Sequence, residues 1–147
     1  MNNMNSRRRT SESREMRSFP GSLAIPSMKQ FLLLIKTTKD RLKSLSPEEQ
    51  QRHVVNVRKF IQAMIANGQI ITAQPVEMDG IILRGLRGAF QETRLDADAE
   101  LIGAFYLVGA ECLSDAVSFA KSDPRFEHAI WTMEIRPILH TDGISGG

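Results

Sequence analysis

The segment from residue 100 to residue 110, ELIGAFYLVGA, constrains the fold more than any other part of the chain. It is short, apolar almost throughout and rich in aromatic and branched residues, and polar segments flank it. Such a run is typical of a β-strand that is buried on both faces. We therefore expect a central strand here, with residues 87–93 as a polar, turn-like entry to it.

The clearest local signal is the start of a helix at residue 46. Ser46 supplies an N-cap hydroxyl, Pro47 occupies the first helical position, and Glu49 completes a capping box. Asn67-Gly68 supplies a left-handed end to the helix. The apolar residues between these ends recur at helical spacing. They are Val54, Val57, Ile61, Met64 and Ile65, with Phe60 beside them.

Apolar and alternating runs predict four more strands, at residues 29–36, 69–76, 81–86 and 128–139. Asp79-Gly80 favours a tight hairpin turn between the second and the third of these strands. A second helix is expected at residues 114–122, with Ser114 as its cap. Asp123-Pro124 ends that helix, because the residue before a proline avoids the helical region.

The resulting order is strand, helix, three strands, helix, strand. This order predicts an α+β fold of the ferredoxin-like split βαβ type with an inserted hairpin element, in which both helices cover one face of an antiparallel sheet. Because the central strand is apolar on both faces, the other face of the sheet also needs a cover. We expect a second copy of the chain to provide it, so that a homodimer forms a dimeric α+β barrel.

Charge separates the first residues from the rest of the chain. Residues 1–28 carry five arginines and two glutamates, a balance of +3, whereas the whole chain carries +2. We interpret residues 1–27 as a disordered basic leader, residues 28–140 as the folded domain and residues 141–147 as a flexible tail. Two interpretations of the leader stay open. It is either a segment upstream of a true start at Met28, or a basic arm for nucleic acid or anionic surfaces.

The sequence lacks the motifs of several classes of protein. No apolar run reaches the roughly 18 residues of a membrane helix, and no dinucleotide, P-loop or nucleophile-elbow motif is present. The histidines lack metal-ligand spacing, so we expect no metal and no cofactor. Cys112 cannot form an internal disulfide, which favours a cytoplasmic setting, and it is expected to be a small core residue. The near-neutral folded part predicts no nucleic-acid surface.

Two stretches support a family resemblance. Gly88, Phe90 and Glu92 stand before Gly103-Ala104-Phe105-Tyr106-Leu107, and residues 133–138, MEIRPI, close the domain. This pattern resembles the YCII-related family, including its DGPF branch, over most of residues 28–139. Arg87 and Ala89 replace the aspartate and proline of that branch.

The resemblance also implies a site. Members of this family often carry a histidine on the first helix, proposed to act with an aspartate as an acid/base dyad, and His53 occupies such a position. The role of the family is largely unassigned, although some relatives resemble dehydrochlorinases and muconolactone-isomerase-like enzymes. The candidate partners of His53 are Asp40 and Asp123. Each of these residues also has a purely structural interpretation. Asp40 would be a solvated loop residue, Asp123 would end the second helix, and His53 would cover the edge of the first helix.

A second candidate site surrounds Glu92. Arg84, Arg87 and Arg94 lie near it in sequence and could hold a carboxylate-bearing ligand, or form a solvated loop with weak surface ion pairs. Tyr106 and Trp131 could form a ligand wall or belong to the core.

We therefore expect a protein that binds a small organic molecule, an anion among the candidates. It would perform cofactor-free lyase or isomerase chemistry, with His53 as general acid or base. The alternative is a non-catalytic ligand-binding or protein-interaction module.

Overall fold

The computed structural model of the protein describes residues 28–140. The predicted leader and the predicted tail lie outside this part. The described part contains, in chain order, β1 (Lys29–Thr37), α1 (Lys39–Lys43), α2 (Pro47–Ala66), β2 (Ile70–Pro75), β3 (Ile81–Leu86), β4 (Ala89–Arg94), β5 (Leu101–Ala110), α3 (Leu113–Lys121), a 3-10 turn (Pro124–Glu127) and β6 (Thr132–Pro137).

The main sheet is antiparallel, with the strand order β2-β5-β1-β6. β1 lies inside it and pairs with β5 on one side and with β6 on the other. β5, the segment predicted to be the central strand, lies between β2 and β1 and is therefore also an interior strand of this sheet. The predicted α+β class is confirmed.

One face of this sheet forms the hydrophobic core. Side chains alternate along a strand, and on β1 Phe31, Leu33 and Ile35 are buried while their neighbours are half-buried. Ala104, Tyr106 and Val108 of β5 continue the same buried face. Both long helices pack against it. The helix residues in the core are Phe60, Ile61 and Met64 of α2 and Ala116, Phe119 and Ala120 of α3.

Helix α2 begins at the capping box that the sequence predicts. The Ser46 hydroxyl accepts a hydrogen bond from the Glu49 backbone N–H at 3.1 Å, and the Glu49 carboxylate accepts one from the Ser46 N–H at 2.9 Å. The centre of the predicted apolar stripe faces the core, and Val57 is buried. Val54 and Ile65, at its margins, remain about half exposed.

The predicted pairing of β2 with β3 is wrong. β2 pairs with β5, whereas β3 pairs with β4 in a separate two-stranded hairpin. Its turn is Arg87-Gly88, and Gly88 supplies the positive φ of 87° that this turn needs. Gly85 also fits this hairpin closely, since an added Cβ would clash with the Ala89 carbonyl oxygen. Residues 87–93 are therefore a turn and a strand, not a loop.

Three further details differ from the sequence interpretation. α1 forms where a loop was expected, because the Thr38 side chain caps it by accepting from the Arg41 N–H. α3 begins with Cys112 at the N-cap position instead of Ser114, and Cys112 is exposed instead of buried in the core. β6 is shorter than expected, because residues 128–130 form a bend and a turn and the strand begins only at Thr132. Within residues 28–140 no helix is long and apolar enough to cross a membrane.

Candidate functional site

A cavity of about 470 Å³ lies between α2 and the sheet. This volume is within the range of about 300–1,000 Å³ that is typical of small-molecule sites. α2, β2 and β5 supply most of the wall, and the 3-10 turn and Trp131 complete it. The lining residues are Leu42, His53, Val54, Val57, Arg58, Ile61, Gln62, Ala73, Gln74, Pro75, Ala104, Tyr106, Arg125 and Trp131. The cavity is thus mainly apolar, with a few polar groups.

His53 lies on the cavity wall because it precedes the buried Val57 by one helical turn. Its side chain is half-buried. The imidazole stacks on the Trp131 ring, with 5.6 Å between the ring centroids and 8° between the planes. The His128 ring meets it edge-on at 5.8 Å. These two contacts fix the plane of the imidazole against the cavity wall.

The surroundings of His53 favour its neutral form. Burial lowers the pKa of His53 below the usual value of 6.5, and the positive charge of Arg125 and the neighbouring His128 lower it further. Asp123 and Glu127 act in the opposite direction but do not reverse the shift. At neutral pH the imidazole is therefore uncharged and able to accept a proton.

Three buried polar residues form a network at one end of the cavity. Asp123 accepts a hydrogen bond from the Tyr106 hydroxyl at 2.9 Å and one from the Arg125 backbone N–H at 2.8 Å. The Arg125 Nη1 group donates to the Tyr106 hydroxyl oxygen and, at 3.4 Å, to the Asp123 carboxylate. Burial raises the pKa of Tyr106, so its hydroxyl keeps the proton that it donates to Asp123. The network holds the guanidinium group of Arg125 in place.

Two buried donors beside this network have no acceptor among residues 28–140. They are Arg125 Nε and Trp131 Nε1, and both residues line the cavity. The carbon at the centre of the Arg125 guanidinium group lies 5.1 Å from the centroid of the Trp131 ring, so the two side chains are in contact. A buried donor without a partner is costly and usually indicates a missing acceptor.

The structure brings some of the predicted site residues together. His53 and Tyr106 line the same cavity. Asp123 is buried beside it and bonds Tyr106 and Arg125, and no hydrogen bond joins it to His53 within residues 28–140. Asp40 is exposed on α1 and does not line the cavity.

The predicted arginine site lies elsewhere, on the exposed β3–β4 hairpin. Glu92 is opposite Leu83 and Arg84 is opposite Gln91, so the two side chains are on different faces of the hairpin. Arg94 pairs with Asp79 at 3.3 Å. Among the described residues Glu92 forms no ion pair. Within one chain these residues, with Arg87 at the turn, do not belong to the cavity.

Arg125 is the site residue that the sequence analysis missed. Its only local signal is its place directly after Asp123-Pro124, where the aspartate caps the 3-10 turn. The turn directs the Arg125 side chain toward the protein interior, and Arg125 is only 8% exposed. The burial of this arginine depends on tertiary packing, so no periodic pattern in the sequence predicts it.

The comparisons with known proteins give no family for this chain. No model of a known protein family matches it, and no similar sequence is found among curated proteins. Within the described part of the chain, no three His, Cys, Asp or Glu side chains are grouped so that they could hold a metal ion.

Proposed function

We propose that the protein binds a small organic ligand in the cavity and catalyses cofactor-free proton transfer of lyase or isomerase type, with His53 as general base. The observation that carries this proposal is the neutral, half-buried imidazole of His53 stacked on Trp131 at the wall of an apolar cavity. A base in such a place meets the ligand directly and needs no metal to accept a proton.

The chain offers a complementary role for Arg125. His53 takes a proton from a carbon or oxygen of the ligand, and the negative charge that develops there is stabilised by the guanidinium group. In an isomerisation His53 returns the proton at another atom. In an elimination a leaving group departs with the bonding electrons. Asp123 and Tyr106 position Arg125, which differs from a direct dyad of His53 with an aspartate.

A thermal-shift panel tests the binding part of the proposal. Aromatic, lactone and carboxylate compounds are added to the wild type, to His53→Ala and to Arg52→Ala. Arg52 is the exposed neighbour of His53 on α2 and does not line the cavity. A ligand at a hundred times its Kd stabilises its site by about 2.7 kcal/mol. We expect this shift in the wild type and in Arg52→Ala, and a smaller one in His53→Ala.

Turnover of the compounds that bind then tests the chemistry. The rate is expected to fall with acid as His53 becomes protonated, and to be lost in His53→Ala. Full activity of His53→Ala would remove the assigned role, and equal thermal shifts in all three proteins would place the ligand elsewhere.

We further propose that the chain is YCII-related and that its fold is the ferredoxin-like form of the α+β class. The strand order β2-β5-β1-β6, with α2 between β1 and β2 and α3 between β5 and β6, supports this proposal. The β3–β4 hairpin is the element inserted between β2 and β5.

We also propose that two copies of the chain form a homodimer, and that the dimer is an α+β barrel. An isolated two-stranded hairpin is only marginally stable in water, yet β3 and β4 pack mainly against each other. Ile81, Leu83 and Phe90 are more than half exposed and share one face of the hairpin. A second copy that covers this face would provide the missing contacts.

The second candidate function is a non-catalytic binding or interaction module. The exposed apolar hairpin favours it, as does Arg87 in place of the aspartate of the DGPF branch. A module of this kind binds ligand or partner but has no pH–rate profile, so the turnover assay separates the two candidates.

A further inference from the structure

We propose that the ligand of the cavity carries a carboxylate group, and that Arg125 and Trp131 hold this group through the donors that have no acceptor in the described part of the chain. This inference rests on the proposed function, because it names the chemical class of the ligand that His53 acts on. The remaining, apolar part of the ligand lies along the wall formed by Val57, Ile61 and Ala104.

The charge of the cavity wall selects an anion. Among the described residues, the lining contains two arginines, Arg58 and Arg125, and no carboxylate. Asp123 lies outside the lining with a fully buried side chain and is paired with Arg125, so it offsets part of the positive charge of the wall. With two arginines against one paired carboxylate, the wall attracts a negative group more strongly than a positive one.

The hydrogen-bond donors of Arg125 and Trp131 that lack acceptors indicate where the anion binds. Arg125 Nη1 is already bonded to Tyr106 and Asp123. Arg125 Nε and Trp131 Nε1 lie closed to water without partners. No group within residues 28–140 accepts from Arg125 Nη2 either. Because Nε and Nε1 have almost no accessible surface in this arrangement, the ligand reaches the Nε–Nη2 edge and the indole N–H only when the two side chains shift.

The shape of this donor set favours a carboxylate over a phosphate. The Nε–Nη2 edge of a guanidinium group forms two parallel hydrogen bonds to the two oxygens of a carboxylate. The indole N–H of Trp131, whose ring contacts the guanidinium group, is a third donor. A phosphate dianion would bring a further oxygen and a second charge against the apolar wall, where burying an unpaired charge is costly.

Isothermal titration of the full chain with three probes tests the proposal. Benzoate carries the charge, benzamide is its neutral isostere, and inorganic phosphate is the alternative anion. We expect benzoate to bind at least about tenfold more tightly than benzamide, since hydrogen bonds to charged groups are about twice as strong as neutral ones. Phosphate should bind more weakly than benzoate.

Trp131→Phe is the decisive variant. It keeps an aromatic ring beneath His53, removes the indole donor and leaves a smaller ring, so thermal unfolding of the variant is measured to check that the fold is intact. Benzoate affinity is expected to fall about tenfold, and benzamide affinity less. Arg125→Lys keeps the positive charge but loses the planar edge of the guanidinium group, so it should also lower the affinity for benzoate. Arg52→Gln is the matched control and should bind like the wild type.

The outcomes separate this inference from the proposed function. Equal binding of benzoate and benzamide, or unchanged benzoate binding in a folded Trp131→Phe protein, overturns the carboxylate proposal and leaves a neutral ligand for the cavity. Tighter binding of phosphate also overturns it. If no compound of any charge binds and His53→Ala behaves like the wild type, both proposals fail.

Discussion

His53 titrates in an environment that opposes its charge, and this has a direct consequence for stability. Its pKa in the folded protein is lowered, chiefly by burial and then by Arg125 and His128, against the weaker attraction of Asp123 and Glu127. The unfolded chain binds a proton near pH 6.5. The stability that neutral His53 contributes is therefore complete above about pH 6.5 and is lost as the pH falls through the lower pKa of the folded state.

Urea unfolding at pH 7.5 and at pH 5 checks this expectation. The wild type should lose more stability between these two values than His53→Gln, whose amide does not titrate. Titration of the His53 ring by NMR should give a midpoint below 6.5. A midpoint above 6.5, or equal losses in the two proteins, would contradict the assigned environment.

Asp123 is the only carboxylate that bonds the buried Arg125 side chain among the described residues. Asp123→Asn keeps the shape of the side chain but leaves the guanidinium group without its counter-charge. A buried charge that loses its partner costs about 3 kcal/mol of unfolding free energy, and urea unfolding at neutral pH measures it. The matched control is Asp98→Asn, an exposed aspartate, for which no comparable loss is expected.

The residues of the site differ in how well the sequence predicts them. His53 was proposed as a site residue from the family resemblance, and the capping box at Ser46 with the stripe through Val57 set its turn of the helix. Arg125 could not be found in this way. An arginine is normally exposed, and its burial here results from Asp123 and Tyr106, which come together only in the folded chain.

Among the elements, the caps of α2 and α3 provide a matched pair of tests. The sequence favours a serine cap for both helices, yet Ser46 caps α2 whereas Ser114 lies inside α3. Ser46→Ala should lower the free energy of unfolding by about 1 kcal/mol because the Glu49 N–H loses its acceptor. Ser114→Ala should cost nothing or stabilise slightly, since alanine favours the helix interior. Equal losses in the two variants would refute the assigned caps.

Five of the six strands of the described residues and both long helices were predicted to within a few residues, but β4 and the pairing of β2 with β5 were not. β1, α2 and β5 carry strong periodic or apolar signals. Asp79-Gly80 and Arg87-Gly88 are both glycine turn signals, and local sequence does not decide which of them closes a hairpin. The decision depends on β5, which pairs with β2 across a long stretch of chain and leaves β3 to pair with β4.

At the scale of the whole molecule, the hairpin predicts how two copies associate. Phe90 lies on the same face of the hairpin as Ile81 and Leu83, which also carries Glu92 and Arg94, whereas Gln91 lies on the opposite face. Phe90→Lys places a charge in the proposed interface and is expected to shift the protein to a monomer. Gln91→Lys adds the same charge on the other face and should leave the dimer intact. Sedimentation equilibrium at micromolar concentration measures both.

The wild type decides the matter first. A mass of one chain at micromolar concentration would exclude the dimer, and loss of the dimer in Gln91→Lys as well as in Phe90→Lys would move the interface away from this face of the hairpin.

The position of Trp131 gives the molecule an internal optical reporter. It is the single tryptophan of the chain, and its indole ring touches both His53 and Arg125 in the cavity wall. Intrinsic emission excited at the indole band therefore arises from the cavity alone. Entry of a ligand or protonation of the stacked imidazole changes the polarity and charge around this one fluorophore, so either event can be followed without a label.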